Sequence, residues 1–69
     1  MNIAQKQIIV FPDGRVDTAN ASEYLGLSQK TLAMMRSSGK GPAFIKRGRI
    51  FYYLEDLNNW LGATERFNS

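Results

Sequence analysis

The chain has 69 residues, of which nine are basic and six are acidic, and it contains neither cysteine nor histidine. This length allows one domain with a small core and a stability of about 3–5 kcal/mol, while the missing residue types exclude disulfides, thiolate or imidazole metal sites and a histidine general base. Because no apolar run approaches the ~18–20 residues of a bilayer span, we expect a soluble protein of a bacterial cytoplasm, without a metal or cofactor.

The basic residues are concentrated in one part of the chain. No acidic residue occurs between Tyr24 and Leu54, although most of the lysines and arginines lie there. This distribution favours a polyanionic partner, which for a domain of this size is most often a nucleic acid. The alternative is a solvated basic surface without a specific partner. The basic residues of this stretch are Lys30, Arg36, Lys40, Lys46, Arg47 and Arg49.

Residues 7–17 are predicted to form a β-hairpin that follows a flexible N-terminus at residues 1–6. Residues 7–11 are β-branched and aromatic, residues 12–14 (Pro-Asp-Gly) are typical of a turn, and residues 15–16 can pair back. We expect this hairpin to cover the core and to add a strand to a small sheet.

Two short helices are predicted next. Asp17 is placed to cap the N-terminus of the first helix, and Gly26 ends it because glycine adopts the left-handed backbone of a helix stop. Ser28 caps the second helix, which runs from residue 29 to about residue 38, where Gly39 ends it. The side chains predicted to face inward are Ala21, Tyr24 and Leu25 in the first helix and Leu32 and Met35 in the second.

The spacing of these two helices is typical of a helix-turn-helix. The small residue Ser22 lies four positions before Gly26, where the helices must approach closely, and Leu32 lies six positions after it. The alternative is a pair of packed helices with no role in DNA binding.

Residues 43–53 are predicted to form a second hairpin with a basic tip. Two segments rich in aromatic and β-branched residues, 43–46 and 50–53, flank the glycine turn at residues 47–49. Lys46, Arg47 and Arg49 lie within four positions of one another. A basic hairpin directly after a helix-turn-helix is typical of a DNA-binding wing.

A last helix is predicted to begin near Leu54. Glu55 and Asp56 lie in its first turn, where they complement the helix dipole, and Gly62 is predicted to end it. The domain is therefore expected to span residues 7–62, followed by a loose tail at residues 63–69. The buried face of this helix is predicted to consist of Leu57, Trp60 and Leu61.

Most aromatic side chains are expected in the core rather than as stacking platforms for single-stranded nucleic acid. Each lies at an inward-facing position of its element, and so small a domain needs large side chains to build a core. For Tyr52 the core and the solvent both stay open, because it alternates with its neighbours. The residues predicted to be buried are Tyr24, Phe44, Phe51, Tyr53 and Trp60.

Taken in order, the segments 22–28, 30–32 and 39–42, then Phe44-Ile45-Lys46, Gly48, Tyr52, Asp56-Leu57 and Trp60-Leu61, form one recognisable series. With this series, residues 17–61 resemble the small winged helix-turn-helix domains of the excisionase family, which are close in fold to the DNA-binding domain of MerR regulators. The resemblance implies an α+β fold of three short helices with a β-hairpin wing. The chain differs from the family pattern at Met34 and Met35, where relatives commonly carry a basic or aromatic residue and a tryptophan.

The resemblance also implies a function. Such proteins come from phages or mobile elements, bind double-stranded DNA, and act as recombination directionality factors or as transcriptional regulators. Our first expectation is an excisionase that binds and bends attachment-site DNA, with a phage-type integrase and further copies of itself as partners. The alternative is a regulator bound at a promoter.

On this reading, the second helix enters the major groove with its N-terminal end toward the bases, and the wing meets the minor groove or its phosphates. Gln29 and Lys30 are candidates for base-edge or phosphate contacts, while Arg36 either reaches the DNA backbone or pairs with Glu23. Five basic contacts would give a log–log salt slope of about −4 to −5. The predicted DNA-binding residues are Ser28, Gln29, Lys30, Thr31, Ala33, Met34 and Arg36 in the helix and Lys46, Arg47, Gly48 and Arg49 in the wing.

Three other functions are weaker hypotheses. An enzyme is not expected, because Glu55 and Asp56 are adjacent on a helix and so point to different sides, and no histidine is present to activate a serine. A protein-interaction adaptor would need an exposed apolar patch, for which Met34 and Phe67 are the candidates. RNA binding is the third. Since no long dimerisation helix is evident, we expect a monomer in solution.

Overall fold

A computed structural model describes residues 7–64 and places three helices around a small sheet. The predicted α+β fold with three short helices and a wing is confirmed. In chain order the elements are β1 (Arg15–Asp17), α1 (Thr18–Leu25), α2 (Gln29–Ser38), β2 (Ile45–Arg47), β3 (Arg49–Tyr53) and α3 (Leu54–Thr64). The segments predicted to be flexible at the two ends lie outside the described residues, apart from Ala63 and Thr64.

The sheet has the strand order β1-β3-β2, and both pairings are antiparallel. Consequently β3 is the central strand: Val16 lies opposite Tyr52 on one side of it, and Ile45 lies opposite Phe51 on the other. The hairpin formed by β2, Gly48 and β3 is the predicted wing.

The predicted N-terminal hairpin is wrong. Residues 7–11 form no strand, and β1 pairs with β3 instead of with them. Only one bond of the expected kind is present, from the Phe11 N–H to the Arg15 carbonyl at 2.8 Å, while the Ile9 N–H donates to Oδ1 of Asn20 at 3.0 Å. Residues 7–11 therefore lie against α1, because the Ile9 amide binds the Asn20 side chain of that helix and not the backbone of a strand.

The predicted helix caps are confirmed. The Asp17 carboxylate accepts a hydrogen bond from the Asn20 N–H at 2.9 Å, and the Ser28 hydroxyl accepts one from the Thr31 N–H at 3.0 Å. At the other ends, Gly26 and Gly39 adopt left-handed φ angles of 73° and 76°. Only two residues therefore separate the C-cap of α1 from the first residue of α2, which brings the helices into a tight turn.

The core lies between the helices and one face of the sheet. Its members are contributed by β1, α1, α2, β3 and α3, and each is fully buried. Leu25, Leu27 and Met35 pack around this cluster and are half-buried. The fully buried core residues are Val16, Ala21, Leu32, Tyr52 and Leu57.

Both faces of β3 are covered. Tyr52 lies in the core, whereas Phe51, on the opposite face, is buried by the ring of Phe11 and by the guanidinium groups of Arg15 and Arg49. The ring centroids of Phe11 and Phe51 are 5.7 Å apart in an edge-to-face arrangement. Because both faces of the strand are covered, the successive residues Phe51 and Tyr52 are both buried.

The prediction that these aromatic side chains are buried is confirmed for Phe51, although on the sheet face opposite the core, and is wrong for two others. Tyr24 and Phe44 remain 37% and 42% exposed. Tyr24 lies at the edge of α1, where its hydroxyl donates to the Asn58 side chain of α3, and Phe44 precedes the wing and covers Tyr52 from outside. Tyr53 and Trp60 are half-buried.

Gly62 does not end α3, contrary to the prediction. The helix continues to Thr64, and Gly62 does not adopt the left-handed conformation that a glycine stop requires. The Thr64 hydroxyl donates to the Trp60 carbonyl at 2.9 Å. None of the helices within residues 7–64 is long and apolar enough to cross a bilayer.

Candidate nucleic-acid interface

The N-terminal end of α2 is open to solvent. Gln29 and Lys30 are exposed, and no carboxylate lies in the first turn. The hydroxyl of Ser28 accepts the Thr31 N–H and also donates to the Thr31 hydroxyl at 2.9 Å, so these two side chains satisfy each other as a cap. The remaining N–H groups of this end, together with the helix dipole and Lys30, form a surface that favours anions.

The outward face of α2 follows from the positions of Leu32 and Met35, which face the core. At 3.6 residues per turn, Lys30 and Ser37 lie on the side of α2 opposite Leu32 and Met35. Ala33 and Met34 lie on either side of Lys30 and Ser37. Met34 is 61% exposed. The outward face thus combines one cation and one hydroxyl with an apolar side chain on either flank, Ala33 on one and Met34 on the other.

Two exposed polar residues of α2 and the loop after it were not among the predicted site residues. Ser37 lies two turns after Lys30 on the same side of α2, and its spacing of seven residues is a signal that the sequence contains. Lys40 is exposed in the loop after α2. The sequence places Lys40 in the segment 24–54 that lacks acidic residues. Because Lys40 lies in a loop, no helical or strand periodicity predicts which way its side chain points.

Arg36 lies on a different side of α2 from Lys30. Its Nη1 donates to the Tyr52 hydroxyl at 2.7 Å, and its guanidinium carbon lies 5.8 Å from the centre of the Phe44 ring. The side chain is half-buried. Arg36 therefore points toward the sheet, where it contacts two aromatic residues.

The register of the wing separates its three basic side chains. Residues directly opposite in an antiparallel pair share a face, and successive residues alternate. Lys46, opposite Ile50, therefore lies on the side of the sheet that faces the core, whereas Arg47 and Arg49 lie opposite each other on the other side. Only Gly48, with φ 77°, separates these two arginines.

The two wing arginines differ in their partners. Arg49 lies 3.8 Å from the Asp17 carboxylate and 5.3 Å from the centre of the Phe51 ring, yet its side chain is 64% exposed. The Asn20 N–H, and to a lesser extent Arg49, hold the pKa of Asp17 below its usual value. Within residues 7–64, Arg47 has no hydrogen-bond, ion-pair or ring partner.

Eight of the eleven predicted site residues form two patches. Residues 28–31 lie together at the leading end of α2, and residues 46–49 lie together at the wing tip. Within the described part of the chain, no hydrogen bond or ion pair connects these patches, and Lys30, Lys40, Lys46 and Arg47 have no carboxylate partner. The positive charge of the acid-free stretch is therefore largely uncompensated at the surface.

Comparison with known protein families identifies the domain type. A family model described as "Helix-turn-helix domain" matches residues 16–64, from the strand before α1 to the end of α3. No curated protein matches the chain. The matched region contains both patches and every element that positions them, and it covers well over half of the chain. This protein belongs to the helix-turn-helix domain family, a family of small excisionase-like DNA-binding domains.

Proposed function

We propose that the protein binds double-stranded DNA through the leading end of α2 and the wing, and that it acts as the recombination directionality factor of a phage or mobile element. The proposal depends mainly on one observation: the N-terminal end of α2 is exposed, with Lys30 unpaired within the described residues, in the same small domain as a wing tip where Lys46 and Arg47 are also unpaired there. Membership of an excisionase-like family supports the choice of recombination over other DNA transactions.

In this proposal α2 lies in the major groove. Gln29 and Lys30 meet base edges or phosphates, since a glutamine amide pairs with adenine and a lysine donates to guanine O6 and N7. Ala33 and Met34 contact the C5-methyl groups of thymines, because their exposed apolar surface has no hydrogen-bonding capacity to offer. Ser28 and Thr31 remain bonded to each other as the helix cap, so they are minor phosphate contacts in this proposal.

The wing straddles a phosphate backbone in this proposal. Lys46 approaches from one side of the hairpin, while Arg47 and Arg49 approach from the other, and Gly48 allows the tip to enter a groove. Two like charges directly opposite each other destabilise a hairpin, and a bound phosphate or a narrow minor groove would relieve this repulsion.

The contacts of Arg36 lower the number of phosphates that we expect the protein to neutralise. With Arg36 engaged by Tyr52, four basic side chains remain, namely Lys30, Lys46, Arg47 and Arg49. We expect a log–log salt slope of about −3.6 on duplex DNA. A slope near zero would contradict the electrostatic part of the proposal.

As partners we propose a phage-type integrase and further copies of this chain on adjacent sites, in the bacterial nucleoid. The helices within residues 7–64 are 8, 10 and 11 residues long, so none of them can form the long coiled coil of a stable dimer. We therefore expect a monomer in free solution and cooperative binding, with DNA bending, on attachment-site DNA.

Footprinting on the DNA that flanks the protein's own gene tests this function. Several protections in helical phase beside an attachment site, together with a bend in a circular-permutation gel assay, are the expected result. A single protection over a promoter would replace recombination by transcriptional control. Absence of any shift of a random labelled duplex at low salt would contradict DNA binding itself.

A further inference from the structure

Arg36 forms the one hydrogen bond between α2 and the sheet among the described residues. Its acceptor, the Tyr52 hydroxyl, belongs to a fully buried side chain on the central strand, and that strand is also one side of the wing. The Phe44 ring lies 6.2 Å from the Tyr52 ring and 5.8 Å from the Arg36 guanidinium, so it covers the bond from outside. This bond directly connects the two elements that the proposed function places on DNA.

The contact restrains the angle between α2 and the wing. At 3.6 residues per turn, Arg36 lies about 120° around the helix from Lys30, so it faces the sheet while Lys30 faces outward. A planar guanidinium fixed by a hydrogen bond at one end and a ring at its face has little freedom of rotation. The helix is also held by Leu32, but an aliphatic contact restrains position better than rotation.

We propose that Arg36 is a positioning residue that sets the orientation of the recognition helix relative to the wing, and that it makes no phosphate contact of its own. This inference rests on the proposed DNA binding. A protein that must place two patches on one duplex loses affinity when their relative geometry is loose, because both patches then engage only in part of the ensemble. Duplexes that reach only one patch are insensitive to that geometry.

The test compares Tyr52→Phe and Arg36→Gln with the unmodified chain. The probes are a full-length duplex selected by the unmodified chain from a random library and a shortened duplex that covers the α2 footprint alone. Tyr52→Phe removes only the hydroxyl that accepts the bond and keeps the core ring. We expect each variant to bind the full duplex about five to ten times more weakly, to bind the short duplex as the unmodified chain does, and to keep the same salt slope.

A double variant separates positioning from a phosphate contact. If the two side chains act as one unit, Arg36→Gln combined with Tyr52→Phe binds no more weakly than either single variant. A phosphate contact predicts the opposite: Arg36→Gln lowers the magnitude of the salt slope by about 0.9 and Tyr52→Phe changes nothing, which would overturn the inference. If circular dichroism shows that Tyr52→Phe does not fold, Arg36→Met is tested with the same two duplexes, because a substitution at the half-buried Arg36 disturbs the core less. Weaker binding to the full duplex alone, with an unchanged salt slope, supports positioning.

The outcome for the unmodified chain distinguishes the two proposals. Failure of that chain to shift any duplex contradicts the proposed function. Normal binding by the unmodified chain and by both single variants contradicts only the role of Arg36.

Discussion

The recognition helix and the wing carry the same kind of charge, but they hold it differently. Helix α2 is capped at both ends, packs Leu32 into the core and leaves Lys30 without a partner in the described residues. The wing is a short hairpin whose charges are divided between two faces, and one of them, Arg49, is shared with Asp17 and Phe51. A cation on a firmly anchored helix suits oriented contacts, whereas divided and partly paired cations suit a phosphate backbone whose path varies.

The largest effect is expected from truncating the core side chain that anchors α2. Leu32→Ala leaves a cavity at a fully buried position and should lower the free energy of unfolding by about 2–5 kcal/mol, which is most of the stability of so small a domain. Ile45→Ala, at a half-buried position of the wing, should cost about 1 kcal/mol. Thermal unfolding followed by circular dichroism measures both losses of unfolding free energy. Equal losses would contradict the conclusion that α2 is anchored more firmly than the wing.

The next effect concerns the glycines that join and close the wing. A Cβ on Gly41, which has φ 94°, would lie 2.9 Å from the Met35 Cβ, whereas a Cβ on Gly48, which has φ 77°, meets nothing within 4 Å. Both substitutions strain the backbone, but only the first also displaces α2. We expect Gly41→Ala to lower the unfolding free energy by about 2–3 kcal/mol and Gly48→Ala by about 1 kcal/mol. Urea unfolding measures the two losses, and the reverse order would be inconsistent with this packing.

The two wing arginines provide a matched pair for DNA affinity. Arg47 has no partner within residues 7–64, while Arg49 already interacts with Asp17 and Phe51. We expect Arg47→Gln to weaken binding about tenfold and Arg49→Gln about threefold, because part of the charge of Arg49 is already balanced. Fluorescence anisotropy at fixed salt measures both, with Lys30→Gln as the reference for the helix. An equal loss at 47 and 49 would mean that Asp17 releases Arg49 on DNA.

Asp17 connects the two regions, since it caps α1 and faces Arg49. Its pKa is held below the ordinary value of 3.8 in the folded state, chiefly by the Asn20 N–H, so its cap stabilises the fold above about pH 4 and is lost as the pH falls through the lowered pKa. We expect acid to remove about 1 kcal/mol of stability at this site. Asp17→Asn keeps a cap that does not titrate, so its unfolding free energy should depend less on pH between about 5 and 2. Identical pH profiles for the two chains would remove Asp17 as the cause.

The last prediction concerns Met34, the largest exposed apolar side chain of the helix. Replacing single thymines of the selected duplex by uracil removes only the C5-methyl group and should weaken binding about fourfold at a position in contact with Met34, which corresponds to about 0.8 kcal/mol. Met34→Ala should abolish the difference between thymine and uracil at that position while leaving the fold unchanged, because Met34 is largely exposed. A uracil effect that persists in Met34→Ala would assign the contact to another residue.

Much of this fold is determined by local chemistry, and that part could be predicted. Asp17 and Ser28 cap their helices with their own side chains, and Gly26 and Gly39 end them with a backbone conformation that only glycine adopts easily. The basic wing follows from a glycine flanked by β-branched and aromatic residues. The caps and stops depend on residues within four positions of one another, and the strands of the wing pair residues at most six positions apart, so the local sequence contains the whole cause.

Other features depend on partners that are distant in the chain. The segment 7–11 has strand propensity but gives its Ile9 amide to Asn20, and Gly62 continues a helix that a glycine often ends. Tyr52 is buried because helices cover one face of β3, and Phe51 is buried because arginines and Phe11 cover the other. Likewise, the direction of Arg36 was decided by a hydroxyl sixteen residues away. Sequence therefore determined which residues are basic and where the first two helices begin and end. Tertiary packing decided which of those charges remain free, because burial and pairing depend on neighbours that only the folded chain brings together.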